Sequence, residues 1–343
     1  MMIAIGAKFS KKNKDTSDFY LGGRKLGPFV TAMSAEASDM SSWLLMGLPG
    51  VALIAGLAEA SWTAIGLAVG TYINWLIVAK RIRIYSSKID AVTLPEFFSK
   101  RFGDNAGILK LIAAIVIIVF FIPYTASGFS ACGKLFESIF GIPYMTAMVV
   151  SGIVIVLYTA LGGFLAASTT DFIQSIVMTI ALVVVLGFGI SYAGGWEQVC
   201  DNAESLAGYL NFTLTHGAGS VSEAIAGTAG TKPYGALTIA STLAWGLGYF
   251  GMPHIIVRFM SLRSDKDLKK SAKIGISWTV LILIFSVASG CIGHMLMGDL
   301  ADSSTVFIQM VRFLFPALIS GILLSAILAA AMSTADSQLL ASA

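Results

Sequence analysis

The chain has 343 residues, of which 56% are hydrophobic and only 12% are charged. Because soluble domains carry about 25% charged residues, this composition excludes a soluble globular domain and indicates an all-α integral membrane protein. The formal net charge of +3 says little by itself, and we expect no nucleic-acid partner.

The first residues resemble the end of an interrupted span. Residues 1–7 are apolar but too few for a secretory signal peptide, and four lysines follow closely in 8–14. We therefore expect residues 1–27 to be the remnant of a first span followed by a cytoplasmic linker.

Eight later apolar runs have roughly the 20 residues that a helix needs to cross a bilayer. Carboxylates occur in only two of them: Glu36 and Asp39 in the first, and Asp336 in the last. The predicted spans are 28–56, 60–79, 111–133, 142–164, 172–195, 236–257, 274–298 and 313–340.

The basic residues set the orientation of these spans. Nineteen of the 22 Lys and Arg lie in 8–25, 80–110 and 258–273, which the positive-inside rule places in the cytoplasm. The polar linker 196–235 then lies outside. In the second cytoplasmic segment, Thr93 predicts the cap of an amphipathic surface helix with a proline in its first turn.

Two predicted spans are interrupted. Residues 34–43 carry four serines and two carboxylates, and small residues that hydrogen-bond to their own backbone disfavour a continuous helix. Residues 245–254 contain three glycines, a proline and a histidine, which predicts unwound backbone lining a cavity. The second break lies in the sixth span, so the two broken spans cross in opposite directions, as in an inverted repeat.

This symmetry predicts the organisation of the chain. We expect a first five-span repeat at 28–195, an external loop at 196–235, and the first three spans of a second repeat at 236–343, with the remaining spans missing. The third span of each unit carries a polar island, at 124–128 and at 329–337.

The first and last spans together offer ligands for a monovalent cation. Unwound carbonyl groups around Ala37 and Met40, facing the hydroxyls of Ser333 and Thr334, supply oxygen atoms without a tightly fixed charge. Asp39 adds negative charge in a place of low dielectric constant. The alternative is that each hydroxyl bonds only the carbonyl group one helical turn back.

Three aromatic residues offer walls for a small solute. Tyr124, Trp245 and Tyr249 combine flat apolar faces with polar tips, and ordinary packing is their alternative role. Freed amides at the start of a half-helix bind carboxylates, so an amino acid suits such a site.

The other titratable groups in the spans are ambiguous. Glu36 is a second cation ligand, a proton carrier or a residue facing a wet vestibule, and we favour the vestibule. Asp171 starts a span, where capping of a helix terminus is the simple explanation. His254 is interpreted as packed or solvated, and Asp336 either faces an exit path or pairs with a neighbour.

These residues carry a family resemblance that covers nearly the whole chain. The chain resembles the sodium/solute symporter family, and most closely its sodium/proline symporters. The matching stretches are Leu21-Gly22-Gly23-Arg24, Ala37-Ser38-Asp39-Met40-Ser41, Trp43-Leu44-Leu45-Met46-Gly47-Leu48-Pro49-Gly50, the run 245–254 and Met332-Ser333-Thr334.

The resemblance implies a LeuT-type inverted five-helix repeat, here truncated at both ends, with Na⁺ as the coupling ion. It places the sodium site on Ala37, Asp39, Met40, Ala330, Ser333 and Thr334. It places the substrate site on Ser41, Ser42, Tyr124, Trp245, Tyr249 and Pro253. Proline symporters usually have Gly at the position of Ser42, so the extra hydroxymethyl group is expected to narrow or re-aim the pocket.

The leading function hypothesis is import of L-proline, coupled to Na⁺ by alternating access, across the lipid bilayer of a bacterial plasma membrane. One alternative is the same machine serving another small amino acid or a carboxylate. Another is a non-transporting membrane sensor on the same scaffold. An enzyme is not expected, because the chain has no phosphate-binding loop, metal cluster or catalytic triad pattern.

Overall fold

The computed structural model describes residues 2–11, 13–216, 231–298 and 300–343. Within these residues, one two-stranded antiparallel sheet of β1 (Leu214–Thr215) and β2 (Lys232–Pro233) accompanies a structure that is otherwise helical. The α-helices are α1 (Met2–Ser10), α2 (Thr16–Leu21), α3 (Pro28–Met40), α4 (Gly47–Ala55), α5 (Leu57–Ile73), α6 (Lys80–Lys88), α7 (Leu94–Phe102), α8 (Ile108–Phe140), α9 (Tyr144–Tyr192), α10 (Trp196–Ser205), α11 (Ala236–Leu243), α12 (Pro253–Ser261), α13 (Leu268–Met297), α14 (Val306–Leu314) and α15 (Ala317–Ser342).

Several of these helices are long and apolar enough to cross a membrane. In the described part of the chain there are five such helices, and a sixth candidate if the bent pair of α3 and Ser42–Ala55 is one span. The five are Leu57–Lys88, Ile108–Phe140, Tyr144–Tyr192, Asp265–Met297 and Ala317–Ser342. The multi-pass membrane architecture is therefore confirmed, although the small hairpin in the predicted external loop was not foreseen. The middle of that loop, 217–230, lies outside the described residues.

Helix α9 contains two predicted spans. Its 49 residues are more than twice the roughly 20 that a helix needs to cross a bilayer core. The backbone leaves helical geometry at Gly163, with φ 60° and ψ −159°. Residues 164–192 continue as helix directly after this kink, so the interval between the predicted spans 142–164 and 172–195 is helical.

Both predicted breaks are confirmed. The axis turns by 73° between α3 and the segment Ser42–Ala55. In the second broken span, a 3₁₀ turn at Ala244–Phe250 separates α11 from α12. Here Gly246 lies against Gly66 so closely that a Cβ atom on Gly246 would lie 2.0 Å from the Gly66 carbonyl oxygen.

The predicted span 313–340 starts too early. Residue 313 belongs to α14, a separate short helix that ends at Leu314 and buries Val306, Phe307 and Met310. Helix α15 begins only after Pro316, which occupies its N-cap. Proline lacks the amide N–H that would continue the α14 hydrogen-bond pattern, so the helix ends here although the apolar run of the sequence continues.

Helix α3, which carries two carboxylates, lies at the centre of the molecule. Eleven of the 13 residues of α3 are buried, including Glu36 and Asp39, and the helix packs against α9, α12, α13 and α15. The amphipathic surface helix is also confirmed as α7, with the Thr93 hydroxyl accepting a hydrogen bond from the Glu96 amide at 3.3 Å. The fold thus buries the two carboxylates of α3 among the neighbouring helices.

Candidate functional site

The α3 helix ends at Ser41, where the backbone adopts φ 46° and ψ −177°. The Ser41 hydroxyl accepts a hydrogen bond from the Trp43 amide at 3.2 Å, which stabilises the following 3₁₀ turn at Ser42–Leu44. Carbonyl groups in the last turn of a helix lack intrahelical partners. The break therefore exposes acceptor groups in the interior of the protein.

One face of α15 lies against this helix end. The Ser333 hydroxyl is 2.9 Å from the Ala37 carbonyl oxygen and 3.1 Å from the Ala330 carbonyl oxygen. The Thr334 hydroxyl is buried and has no hydrogen-bond partner among the described residues. A buried hydroxyl without a hydrogen-bond partner, one residue after a hydroxyl that contacts two carbonyl oxygens, suits a small cation that these oxygen atoms would coordinate.

A cavity of about 530 Å³ begins at the break in α3. It extends to Lys134 and Ser304, which lie at the predicted outer ends of their segments. The predicted site residues that line it are Asp39, Met40, Ser41, Ser42, Tyr124, Trp245 and Tyr249. The structure thus brings both broken spans and the third span to one chamber.

Aromatic side chains shape this chamber. The rings of Trp43 and Trp245 lie 5.6 Å apart, and the Tyr124 hydroxyl is 3.5 Å from the Asp39 carbonyl oxygen. The Tyr249 side chain interacts with the Asp39 carboxylate, while the Tyr249 carbonyl oxygen accepts a hydrogen bond from Asn74 at 3.0 Å. Asp39 is therefore held between the aromatic wall and the end of α3.

Pro253 is placed apart from this chamber. It is the first residue of α12, and it lines a second pocket of about 30 Å³ together with His254, Arg258 and Ser337. This small pocket lies toward the predicted cytoplasmic side. The small pocket and the chamber are therefore separate, and the chamber reaches toward the predicted outer side.

A buried ion pair lies below the chamber. Arg258 is 1% exposed and donates from Nη2 to Asp171 Oδ2 at 2.7 Å and from Nε to the Ser34 hydroxyl at 2.7 Å. The Ser34 hydroxyl also donates to Asp171 Oδ2 at 2.7 Å. The expectation that Asp171 caps a helix terminus is wrong, because Asp171 lies in the middle of α9 and pairs across the core.

The ion pair continues into α15. Arg258 also contacts the Ser337 hydroxyl, which donates to the Ser333 carbonyl oxygen at 2.7 Å and lies 2.9 Å from Asp336 Oδ1. The Tyr158 hydroxyl donates to Asp336 Oδ2 at 2.8 Å. Asp336 thus pairs with neighbours, and the network reaches the backbone of the hydroxyl-bearing turn.

Glu36 is placed differently from the expectation. It is 4% exposed and accepts hydrogen bonds at 2.7 Å from Trp75 Nε1 and at 2.7 Å from the Thr279 hydroxyl. A residue with both carboxylate oxygens bonded inside the core does not face a wet vestibule. Its role in this structure is to join α3 to α13 and to the helical turn at Asn74–Ala79.

Sequence reasoning missed Arg258, Ser34 and Tyr158. Arg258 was assigned to the basic cytoplasmic segment, although isoleucines and valine precede it and Phe259 and Met260 follow it. A single cation in such an apolar run, matched by Asp171 at the edge of another apolar run, is the signal that points to a buried pair.

Comparison with known proteins agrees with this architecture. The model of the sodium:solute symporter family matches residues 19–343. The chain belongs to this family. It is 44% identical over 347 residues to the osmoregulated proline transporter OpuE of Bacillus subtilis (strain 168), covering 100% of this chain and 67% of the relative. It is 42% identical over 345 residues to a sodium/proline symporter of Staphylococcus aureus, covering 99% of this chain and 64% of the relative.

The chain therefore spans about two thirds of the length of the curated relatives that it matches. A solved structure, described as the substrate-bound outward-open state of a Na⁺-coupled sialic acid symporter, matches with a TM-score of 0.80. That match covers 98% of this chain and 70% of the other at 18% identity. The likeness concerns the fold, and it confirms the prediction of a LeuT-type fold.

Proposed function

We propose that the protein containing this chain is a sodium-coupled symporter that imports L-proline by alternating access across a bacterial plasma membrane. The observation that carries the proposal is the junction of α3 and α15. There the Ser333 hydroxyl contacts the Ala37 carbonyl oxygen, and the Thr334 hydroxyl is buried without a partner among the described residues. The proposed ion ligands and the chamber, which is large enough for a small solute, both adjoin the break after α3.

In this proposal the sodium ion binds where α15 faces the end of α3. Its ligands are oxygen atoms of Ala37, Met40, Ala330, Ser333 and Thr334. The nearby Asp39 supplies net negative charge, which lowers the energy of a cation in surroundings of low dielectric constant. Because most of these ligands are neutral, the ion is held weakly enough to be released.

L-Proline is the favoured substrate because of the relatives and the shape of the chamber. Two relatives that match almost the whole chain are named as proline transporters. The walls formed by Tyr124, Trp245 and Tyr249 suit a small saturated ring. Ser41 and Ser42 lie at the start of the 3₁₀ turn, where polar groups suit the substrate carboxylate.

A related solute is the second candidate, and Ser42 favours it. Its side chain lines the chamber, at a position where the family resemblance implies Gly in proline symporters. A hydroxymethyl group there removes volume and adds a hydrogen-bonding group, so the preferred substrate would be smaller or more polar than proline. This is a change of specificity within the same mechanism.

Uptake into proteoliposomes tests both candidates. The complete protein, given an inward Na⁺ gradient, is expected to accumulate radiolabelled L-proline, and an equal K⁺ gradient should give no accumulation. Unlabelled L-proline should compete better than a panel of other amino acids and carboxylates. Stronger competition by another solute would transfer the assignment to that solute. Uptake that is the same with Na⁺ and K⁺ would contradict sodium coupling.

A further inference from the structure

A cavity of about 820 Å³ lies between α6 and α7, away from the transport chamber. One wall is the face of α6 and the preceding turn that carries Leu76, Ile77, Lys80 and Arg81. These residues are spaced by one and four positions, so they share one side of the helix. The other wall comes from α7, on the side predicted to be cytoplasmic.

Aromatic contacts hold the two walls together. The rings of Tyr85 and Phe97 pack edge to face with centroids 5.8 Å apart. The Arg101 guanidinium carbon lies 4.7 Å from the centroid of the Tyr85 ring, within the range of a cation–π interaction. These contacts join α6 to α7 and place Arg101 at the edge of the cavity.

Three cations line the cavity without acidic partners. Among the described residues, no carboxylate lies within 4.0 Å of the side-chain nitrogen atoms of Lys80, Arg81 or Arg101. Two acids of this region are otherwise engaged: Glu96 pairs with Lys100 at 2.7 Å, and Asp104 accepts hydrogen bonds from the amides that start α8. The site thus has uncompensated positive charge.

The same cavity is apolar at its other end. Leu76 is 63% exposed and Ile77 is 42% exposed, as expected for side chains that face lipid tails. The helix Leu57–Lys88 has 32 residues and is about 48 Å long, so it extends past the hydrocarbon core into the headgroup layer. Along the helix, the apolar residues come first and the cationic residues follow. This order matches that of the acyl tail and the headgroup in a lipid molecule.

We propose that this cavity binds an anionic phospholipid of the cytoplasmic leaflet. The phosphate-bearing headgroup contacts Lys80, Arg81 and Arg101, and one acyl chain lies along Leu76 and Ile77. A free phosphate ion would use only the cations and would leave the apolar wall uncovered. A zwitterionic lipid would bring its own cation next to three others. Basic pockets on the cytoplasmic side of membrane helices are suited to this ligand class.

Native mass spectrometry of the complete protein provides the test. The purified protein is mixed with equal amounts of phosphatidylglycerol and phosphatidylcholine that have identical acyl chains. The wild type should retain phosphatidylglycerol in preference. The triple variant Lys80→Gln, Arg81→Gln and Arg101→Gln should bind it at least about tenfold more weakly, and Arg81→Lys with Arg101→Lys should retain it.

A matched control removes three exposed lysines from the same predicted side. Substituting Lys269, Lys270 and Lys273 with Gln at the start of α13 takes away equal charge outside the cavity and should leave lipid retention unchanged. Equal loss in this control would overturn the site and indicate general surface attraction. Equal retention of both lipids by the wild type, or full displacement by millimolar inorganic phosphate, would also overturn it. If the triple variant aggregates, Lys80→Gln alone should still weaken binding about fivefold.

Discussion

At the scale of single residues, the pair of Arg258 and Asp171 has the largest electrostatic consequence. Both are almost completely buried: 2% of the Arg258 side chain and 0% of the Asp171 side chain are exposed. Two charges removed from water depend on each other, because a lone buried charge is strongly unfavourable. The Ser34 hydroxyl contacts both partners, so it orients the pair as well as bonding it.

Breaking this pair from one side should destabilise the protein. Asp171→Ala leaves the Arg258 guanidinium buried without a carboxylate, which costs about 3–5 kcal/mol, and should lower the melting temperature of the purified protein clearly. Asp171→Leu combined with Arg258→Met removes both charges and should recover much of the lost stability. An Asp171→Ala variant that melts like the wild type would contradict the buried-pair interpretation.

The placement of single residues was predictable only where local spacing determines it. Ala330, Ser333 and Thr334 share a face because they are separated by three and four positions, and the structure places that face against α3. The hydroxyl partners of Glu36 and Asp171 were not predictable. Thr279 lies 243 positions from Glu36, and Ser34 lies 137 positions from Asp171. Side-chain pairing over such distances depends on how the helices assemble.

At the scale of helices, composition predicted the breaks but not every boundary. Serines and glycines disfavour helix directly, so the interruptions in α3 and at Ala244–Phe250 followed from the sequence. The end of α14 depends on Pro316 within a continuous apolar run. The kink in α9 depends on the backbone conformation of a single residue, Gly163. A hydropathy profile detects neither the end of α14 nor the kink in α9.

Helix α7 shows how a surface helix is fixed at its start. Glu96 accepts hydrogen bonds from the Val92 amide at 2.8 Å and from Lys100 at 2.7 Å. Burial by itself raises the pKa of the Glu96 carboxyl, but the hydrogen bonds from Lys100 and from the Val92 amide outweigh burial and lower it below its ordinary value. The ionised form therefore stabilises the folded loop.

The sign of this shift gives a pH prediction. A lowered pKa stabilises the fold above the unfolded-state value, about 4.3, and this stabilisation is lost as the pH falls through the folded-state pKa. Hydrogen exchange of the α7 amides, corrected for intrinsic rates, should therefore accelerate below about pH 4.3. Glu96→Gln should exchange faster at neutral pH and show little further change. A wild-type profile that stays flat in acid would contradict the role of Glu96.

At the scale of the whole molecule, the chamber reaches toward the predicted outer side, and a buried polar network around Arg258 lies toward the predicted cytoplasmic side. The chamber reaches Lys134 and Ser304, while Arg258 and Ser337 occupy the opposite side of α3 and α15. Under the proposed function, inward opening must separate α12 from α15. Because Ser337 bonds the Ser333 carbonyl oxygen, the proposed ion site and the buried network around Arg258 share one helical turn of α15.

The most direct test of the proposed ion site is the sodium dependence of L-proline uptake by hydroxyl variants of α15. Ser333→Ala and Thr334→Ala should each raise the Na⁺ concentration for half-maximal uptake about tenfold, the equivalent of losing about 1.4 kcal/mol of ion binding. Proline affinity should largely recover at saturating Na⁺, and Thr334→Ser should be mild because it keeps the oxygen atom. The control is Ser325→Ala on the same helix, whose hydroxyl bonds the Ile322 carbonyl oxygen at 2.6 Å; its sodium dependence should match the wild type. Unchanged sodium dependence in both alanine variants, with only lower protein abundance, would show that these hydroxyls are packing groups and would contradict the site.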